Sequence, residues 1–181
     1  NYKRQFNHHS CITNSKMKKT TLLALLLVTV FATAQTPTYS KYTVKTEKVT
    51  AKEVNLKSHK EARMYRTNLK AALANSDVNF AGKYILTYWG CGSGCTQGAI
   101  INAHTGNAFF PLELQGVLAG GIELGNHDML EYKKNSNLLI IYGYAGGGFN
   151  PETETQQGIY YYLWTGTKFK LLKFTKKAPK V

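Results

Sequence analysis

Cysteine is scarce in this sequence, with three residues in 181, and only Cys91 and Cys95 lie in the body of the chain. A zinc site usually takes about four ligands, so a pair of cysteines at this spacing supplies half of one. The histidines that would have to complete it occur singly, at His59, His104 and His127. We therefore predict no metal site. The second glycine-rich loop, residues 145–151, lacks the lysine and the following helix of a phosphate-binding loop, so no cofactor is predicted either.

The sequence also lacks a hydrophobic run long enough to cross a bilayer comfortably, which takes about 20 residues. The apolar stretch Thr20 to Phe31 follows two lysines and precedes Ala-Thr-Ala, the three-part pattern of a secretory signal peptide. We predict a signal peptide over residues 17–34, cleaved before Gln35, and interpret residues 1–16 as an upstream extension outside the fold. No cysteine follows the cleavage site, so a lipid anchor is not indicated. We expect an exported protein, periplasmic or extracellular, without a transmembrane segment.

Acidic residues are few, 10 against 23 basic ones. Removal of the predicted signal region takes away five basic residues and leaves 18 against 10, a net charge of +8. The positive charge is concentrated in residues 41–70 and 168–180, on either side of a mildly acidic body. These basic ends could hold the protein to an anionic envelope surface, or they are solvated lysines that keep it soluble. No nucleic-acid-binding motif accompanies the charge, so nucleic acid is not an expected partner.

The first part of the exported chain is predicted to be a basic arm followed by one helix. In the arm, residues 35–57, the stretches Tyr42 to Thr46 and Val54 to Leu56 are interpreted as short strands. Ser58-His59-Lys60-Glu61 matches a capping box, in which serine and glutamate satisfy each other's free backbone donors. Apolar residues recur at helical spacing after it, at Ala62, Tyr65, Leu69, Ala72 and Leu73. The pattern predicts a helix from the capping box to about Asn75.

The chain after Asp77 reads as β-structure. Residues 80–89 alternate with period two, as a strand does, and a glycine-rich loop, Gly90 to Cys95, connects them to the next strand. Three hairpins of similar build follow, at residues 99–110, 129–144 and 159–174. We predict a mainly β α+β fold over residues 58–175, with the N-terminal capped helix packed on a curved antiparallel meander, as an open barrel-like sheet or a small sandwich. Residues 176–181 form a basic tail.

The run YRTNLKAAL, NFAGKY, WGCGSGC and INAHTG, continued by SNLLIIYG and YYYLWTGTKF, resembles a group of small exported bacterial proteins of unknown function. The similarity covers most of the exported chain. It implies a single exported domain and carries over no catalytic residue.

The chemistry of the chain leaves several classes of function open. Cys91 and Cys95 are an even pair in an oxidising compartment, which favours a disulfide that clips the loop, with thiol exchange as the alternative. Redox motifs usually place Cys-x-x-Cys at a helix start, whereas no helix is predicted here. Ser93 lacks the Gly-x-Ser-x-Gly context of a nucleophile elbow, so no catalytic residue is assigned. The acids that could pair as glycosidase carboxylates are Glu113, Glu123, Asp128 and Glu131.

Aromatic residues on both faces of residues 159–164 are the main functional hint. Tyr160, Tyr162 and Trp164 point one way, and an exposed Tyr/Trp surface beside glycine loops would suit a glycan or a protein. Alternatively, both faces are covered and the rings stabilise the sheet. The predicted ligand-binding residues are Trp89, Ser93, Tyr144, Phe149, Asn150, Tyr160, Tyr162 and Trp164. We expect an exported non-catalytic binding protein. The rivals are a thiol-exchange or hydrolytic enzyme using Cys91 and Cys95 or acids near His127, and a structural domain tethered by its basic ends.

Overall fold

The computed structural model describes residues 35–146 and 156–177. The predicted signal peptide, the upstream segment and the end of the basic tail lie outside these residues. The described part contains one α-helix, α1 (Arg66–Asn75), and eight strands. The strands are β1 (Tyr84–Gly92), β2 (Cys95–Asn102), β3 (Ala108–Phe109), β4 (Val117–Leu118), β5 (Leu130–Tyr132), β6 (Leu138–Gly143), β7 (Gly158–Trp164) and β8 (Phe169–Lys176). The predicted class, a mainly β α+β fold, is confirmed.

The first sheet is centred on β2, which pairs antiparallel with β1, β3 and β4. The turn after β2 is shaped by Asn102, whose side-chain Oδ1 accepts hydrogen bonds from the backbone N–H groups of His104 (2.9 Å) and Thr105 (3.2 Å). Asparagine favours such turns because its side chain imitates a backbone acceptor. The predicted hairpin over residues 99–110 is therefore present, with Gly106 at φ +70°.

The second sheet is an antiparallel meander in the order β5-β6-β7-β8. Its central strands pair from Leu138 opposite Leu163 to Gly143 opposite Gly158. Within residues 35–146 and 156–177, one isolated bridge joins the two sheets, because the backbone groups of Leu118 and Tyr144 exchange hydrogen bonds of 3.2 and 2.7 Å. The hairpins predicted over residues 129–144 and 159–174 are confirmed, and together they form this second sheet.

Three apolar clusters divide the interior by sheet face. The largest lies between the sheets and takes alternate residues of each strand, among them Leu86, Ile100, Leu139 and Ile141. The second lies between the outer face of the first sheet and α1 and includes Leu69, Leu73, Ile85 and Ile101. The third lies on the outer face of the second sheet, around Leu138, Ile140 and Tyr142. Each strand thus buries both faces in part, as expected for sheets that are covered on two sides.

The predicted capping box is wrong, although the helix exists. The α-helix begins at Arg66 and not at the capping box, and no side chain caps its first turn. The Ser58 hydroxyl instead donates to the Asn55 carbonyl (2.6 Å) and accepts from the Ala108 N–H (2.9 Å). The oxygen that would accept from a helix N–H as a cap is thus directed at β3 instead, and residues 60–65 form turns.

The two strands predicted in the arm are also absent from the described structure. Tyr39–Tyr42 is a short 3-10 helix, and Thr43 and Asn55 make single bridges to Ser136 and Asn107. The arm nevertheless belongs to the compact unit that starts at Gln35. Isolated backbone hydrogen bonds attach it to turns between strands of the body, so it never acquires the long ladder of a strand.

Candidate ligand-binding site

The outer face of the second sheet carries the densest group of interacting polar and aromatic side chains. On β6 and β7, Tyr142 lies opposite Ile159 and Ile140 lies opposite Tyr161. Directly paired residues share a face, so the two tyrosines are diagonal neighbours, a separation that aromatic side chains can bridge. Glu131 on β5 pairs with Ile140 and therefore lies on the same face. The sheet register thus brings a carboxylate and two phenols together.

His127, from the loop before β5, completes this group. Its Nδ1 lies 2.6 Å from Oε1 of Glu131 and 3.3 Å from the Tyr142 hydroxyl. The Tyr142 hydroxyl also donates to Oε2 of Glu131 at 3.3 Å. The rings of His127 and Tyr142 stack, with centroids 4.9 Å apart and planes 21° apart. Both oxygens of the carboxylate are therefore engaged, and the three side chains hold one another in a single arrangement. We call them the His127–Glu131–Tyr142 cluster.

The tyrosines of this face are held in their protonated form. Burial, then the Glu131 charge and its hydrogen bond, and the nearby Tyr161 raise the pKa of Tyr142 to about 12. Burial and the same carboxylate raise the pKa of Tyr161, and the pKa of Tyr39 is raised mainly by burial. At neutral pH these groups are hydroxyls that donate hydrogen bonds. Burial and the nearby carboxylate disfavour the charged phenolate, so these tyrosines are poor candidates for a nucleophile or a base.

A groove of about 480 Å³ opens beside the cluster. This volume is in the range of small-molecule binding sites. Aromatic rings and two isoleucines provide apolar surface, while an imidazole, a carboxylate and an ammonium provide polar contacts. The lining residues are Ile122, Glu123, His127, Tyr142, Ile159, Tyr161 and Lys177. We call this the Tyr142–Tyr161 groove.

A second groove, of about 430 Å³, is lined by Glu131, the carboxylate of the cluster, and carries three further tyrosines, Tyr39, Tyr88 and Tyr132. The Lys133 ammonium lies 4.7 Å from the centroid of the Tyr39 ring, a cation–π contact. Tyrosines therefore line both of these grooves.

The exposed aromatic surface predicted at residues 160, 162 and 164 is wrong, because these side chains are buried. Tyr160, Tyr162 and Trp164 are 7%, 8% and 2% exposed and belong to the cluster between the sheets. The Trp164 ring packs edge-on against Tyr84, at 5.5 Å between centroids, and against Phe169 at 5.0 Å. The alternative interpretation, in which these rings fill the core, describes them correctly. Their large volume is needed between two sheets that must pack without voids.

The other predicted site residues are dispersed. Trp89 is half-buried on the outer face of the first sheet, where its ring packs on Tyr65 at 4.9 Å. Ser93 is exposed at the tip of the β1–β2 hairpin, and Tyr144 forms the bridge between the sheets with Leu118. Phe149 and Asn150 lie outside the described residues. The structure therefore does not assemble the predicted set into one site.

The cysteine loop is a tight hairpin. Cys91 and Cys95 form a disulfide with Cα atoms 5.1 Å apart, and Gly92 pairs directly with Cys95. Cys91 is exposed and Cys95 is buried. The loop joins two strands, as predicted, so neither cysteine sits at the helix N-terminus where redox motifs lower a thiol pKa.

The sequence contained a usable signal for the cluster. The sequence suggests His127 and Glu131 only as parts of a possible enzyme site, and no local pattern in it gives Tyr142 a role. The His127–Glu131 spacing of four residues, followed by a strand with alternating tyrosines, was the available signal. The contact itself depends on the register between β5 and β6, which sequence does not show.

Comparison with known proteins found no similarity on which to rely: no family model, curated protein or solved structure matches the chain. Within residues 35–146 and 156–177, no three His, Cys, Asp or Glu side chains are grouped to hold a metal ion. In the same residues, no helix is long and apolar enough to cross a membrane. Function must therefore be argued from the chemistry of the site.

Proposed function

We propose that this protein is a non-catalytic binding domain whose ligand is a glycan, held in the Tyr142–Tyr161 groove. The observation that carries the proposal is a half-exposed tyrosine, Tyr161, beside a network of hydroxyl, imidazole and carboxylate groups. Sugars present apolar C–H faces that pack on aromatic rings and hydroxyls that exchange hydrogen bonds with polar side chains. The groove offers both kinds of contact.

Binding is favoured over catalysis by the state of the polar groups. The raised pKa keeps Tyr142 protonated, and both Glu131 oxygens already accept hydrogen bonds. An efficient general base needs a pKa near the working pH and a free lone pair directed at the substrate. The cluster provides rigid donors and acceptors, which is what a binding groove needs.

A hydrolase that uses His127 is the second candidate function. It is supported by one observation, the 2.6 Å contact between His127 and Glu131 beside a groove, because a carboxylate commonly orients a catalytic imidazole. This version predicts turnover of a glycan that disappears in His127→Ala.

We also propose that the protein is exported, among the small exported bacterial proteins that its motifs resemble. The disulfide supports this because structural disulfides persist in oxidising compartments.

The experiment is a binding screen of the purified chain against envelope polysaccharides and peptidoglycan fragments, with glycan release measured in parallel. Tyr161→Ala should weaken binding at least about fivefold, since stacking on one ring contributes about 1–3 kcal/mol by analogy with other ring ligands. Tyr65→Ala is the matched control, because Tyr65 is also half-buried but packs on the outer face of the first sheet. The proposal would be overturned if Tyr161→Ala and Tyr65→Ala, each shown to be folded by circular dichroism, bound the glycan with equal affinity.

A further inference from the structure

A different groove, of about 540 Å³, lies where the N-terminal arm meets both sheets. Its walls come from residues 44–47 of the arm, from residues 81–84 at the start of β1, from Asn137 and from the end of β7. None of these residues lines the Tyr142–Tyr161 groove. We call it the junction groove.

The walls of the junction groove are fixed by backbone contacts. The N–H of Val44 donates to the Asn135 carbonyl (2.9 Å), and that of Glu47 donates to the Gly82 carbonyl (2.7 Å). Gly82 has φ +79°, and a β-carbon there would overlap the Lys45 carbonyl oxygen. Only glycine therefore allows the arm to lie this close to β1. The groove is formed before any ligand arrives.

Positive charge dominates the junction groove. Lys45 and Lys83 both line it, and neither has a carboxylate partner in the part of the chain that the structure describes. The third charged residue, Glu47, is engaged by His104, whose Nε2 lies 3.3 Å from Oε2 of Glu47. Two ammonium groups thus remain available to a ligand.

The other polar groups of the junction groove can also serve an anion. The side-chain amide of Asn137 makes no hydrogen bond within the described residues, so its two N–H donors are available. Trp164 lines the groove as well, and its indole N–H, like that of Trp89 on the first sheet, is buried without a hydrogen-bond partner in the described residues. Buried donors without a partner are uncommon in proteins and call for a physical reason.

We propose that the junction groove binds an oxyanion, a carboxylate or phosphate carried on a small polar molecule, with Lys45 and Lys83 as its counter-ions. The groove is large enough for a charged monosaccharide. Charge-assisted hydrogen bonds to two ammonium groups are the stronger kind of polar contact. The Asn137 amide supplies further donors at the same place.

The test uses Trp164 as a reporter. The predicted exported chain has two tryptophans, so Trp89→Phe leaves Trp164 as the sole source of indole signals. Sodium glucuronate, inorganic phosphate and glucose are titrated separately, and tryptophan emission and the indole N–H resonance are followed. Saturable changes with glucuronate, phosphate or both, but not with glucose, are expected. Glucuronate alone would identify an acidic sugar as the source of the oxyanion, and phosphate alone a phosphorylated molecule.

Two lysine pairs separate a site from general charge attraction. Lys45→Gln with Lys83→Gln should weaken binding at least about tenfold, because each change removes a charge-assisted hydrogen bond. Lys57→Gln with Lys60→Gln removes the same charge elsewhere and should leave binding unchanged. No saturable change with either anion, an equal response to glucose, or equal losses in the two pairs would overturn the proposal. Tyr161→Ala should leave anion binding intact, so this proposal and the glycan proposal fail separately.

Discussion

Two glycines with similar φ angles allow a measurement of how much the contact between the arm and the first sheet contributes to the free energy of unfolding. Gly94 and Gly106 have φ +68° and +70°. A β-carbon on Gly94 would meet nothing within 4 Å, whereas one on Gly106 would overlap the Glu53 carbonyl oxygen and lie 3.2 Å from the Asn55 nitrogen. Substitution by alanine therefore imposes the same backbone strain at both positions and a steric clash at one.

The expected magnitudes follow from these contacts. Left-handed backbone costs about 1–2 kcal/mol for a residue with a β-carbon, so Gly94→Ala should lower the free energy of unfolding by that amount. Gly106→Ala must also displace the arm, which breaks the hydrogen bond from Asn55 N–H to the Gly106 carbonyl (2.9 Å) and the one from Asn55 Nδ2 to Asn107 (2.9 Å). At about 1 kcal/mol each, these raise the expected loss to about 3–4 kcal/mol.

Urea denaturation followed by circular dichroism measures both variants. The entropic effect of alanine on the unfolded chain is similar at the two positions and cancels in the difference. A difference of about 2 kcal/mol should also separate the two melting temperatures by about 4–8 °C in a domain of this size. Equal losses in the two variants would show that the arm contributes nothing at this contact, and the description of the arm as part of the fold would be wrong.

Two further predictions concern the disulfide and the tyrosine cluster. Cys91→Ala with Cys95→Ala should lower the free energy of unfolding by about 2 kcal/mol and leave the fold intact, since the bond closes a loop of only five residues; complete unfolding in water would contradict this. Tyr142 should titrate near pH 12, and Glu131→Gln should lower that pKa only in part, because burial remains. Since the unfolded chain releases this proton first, near pH 10, the stability it contributes should be lost between about pH 10 and 12. Carbon-13 tyrosine NMR, assigned with Tyr142→Phe, measures this titration, and an unshifted pKa would contradict it.

Local patterns in the sequence were sufficient for the elements themselves. The period-two alternation in residues 84–89 and 159–164 predicts strands, because side chains of a strand alternate between the faces whatever packs on them. The pair Cys91 and Cys95 on a glycine-rich loop predicts a clipped hairpin, since the spacing of the cysteines limits what they can reach. These features are decided by residues within a few positions of one another.

The helix start depended on a distant contact. Ser58 and Glu61 match a local capping box, but the Ser58 hydroxyl bonds to Ala108, 50 residues away. A cap needs the serine oxygen as an acceptor for a helix N–H, and here that oxygen accepts from the distant Ala108 N–H instead. Sequence alone could not show this competition.

Tertiary structure also decided which aromatic face is buried and where a ligand can bind. Both faces of β7 are apolar, so alternation alone could not tell whether Tyr161 or Tyr162 points inward; packing against the first sheet placed Tyr162 inside. The outward face became a site only because the register of β5 and β6 set Glu131 beside Tyr142, and the preceding loop delivered His127. Sequence by itself determined the strands, the hairpins and the clip, because these are local. The site required residues from separate strands and a loop, and only the pairing of the sheet brings them together.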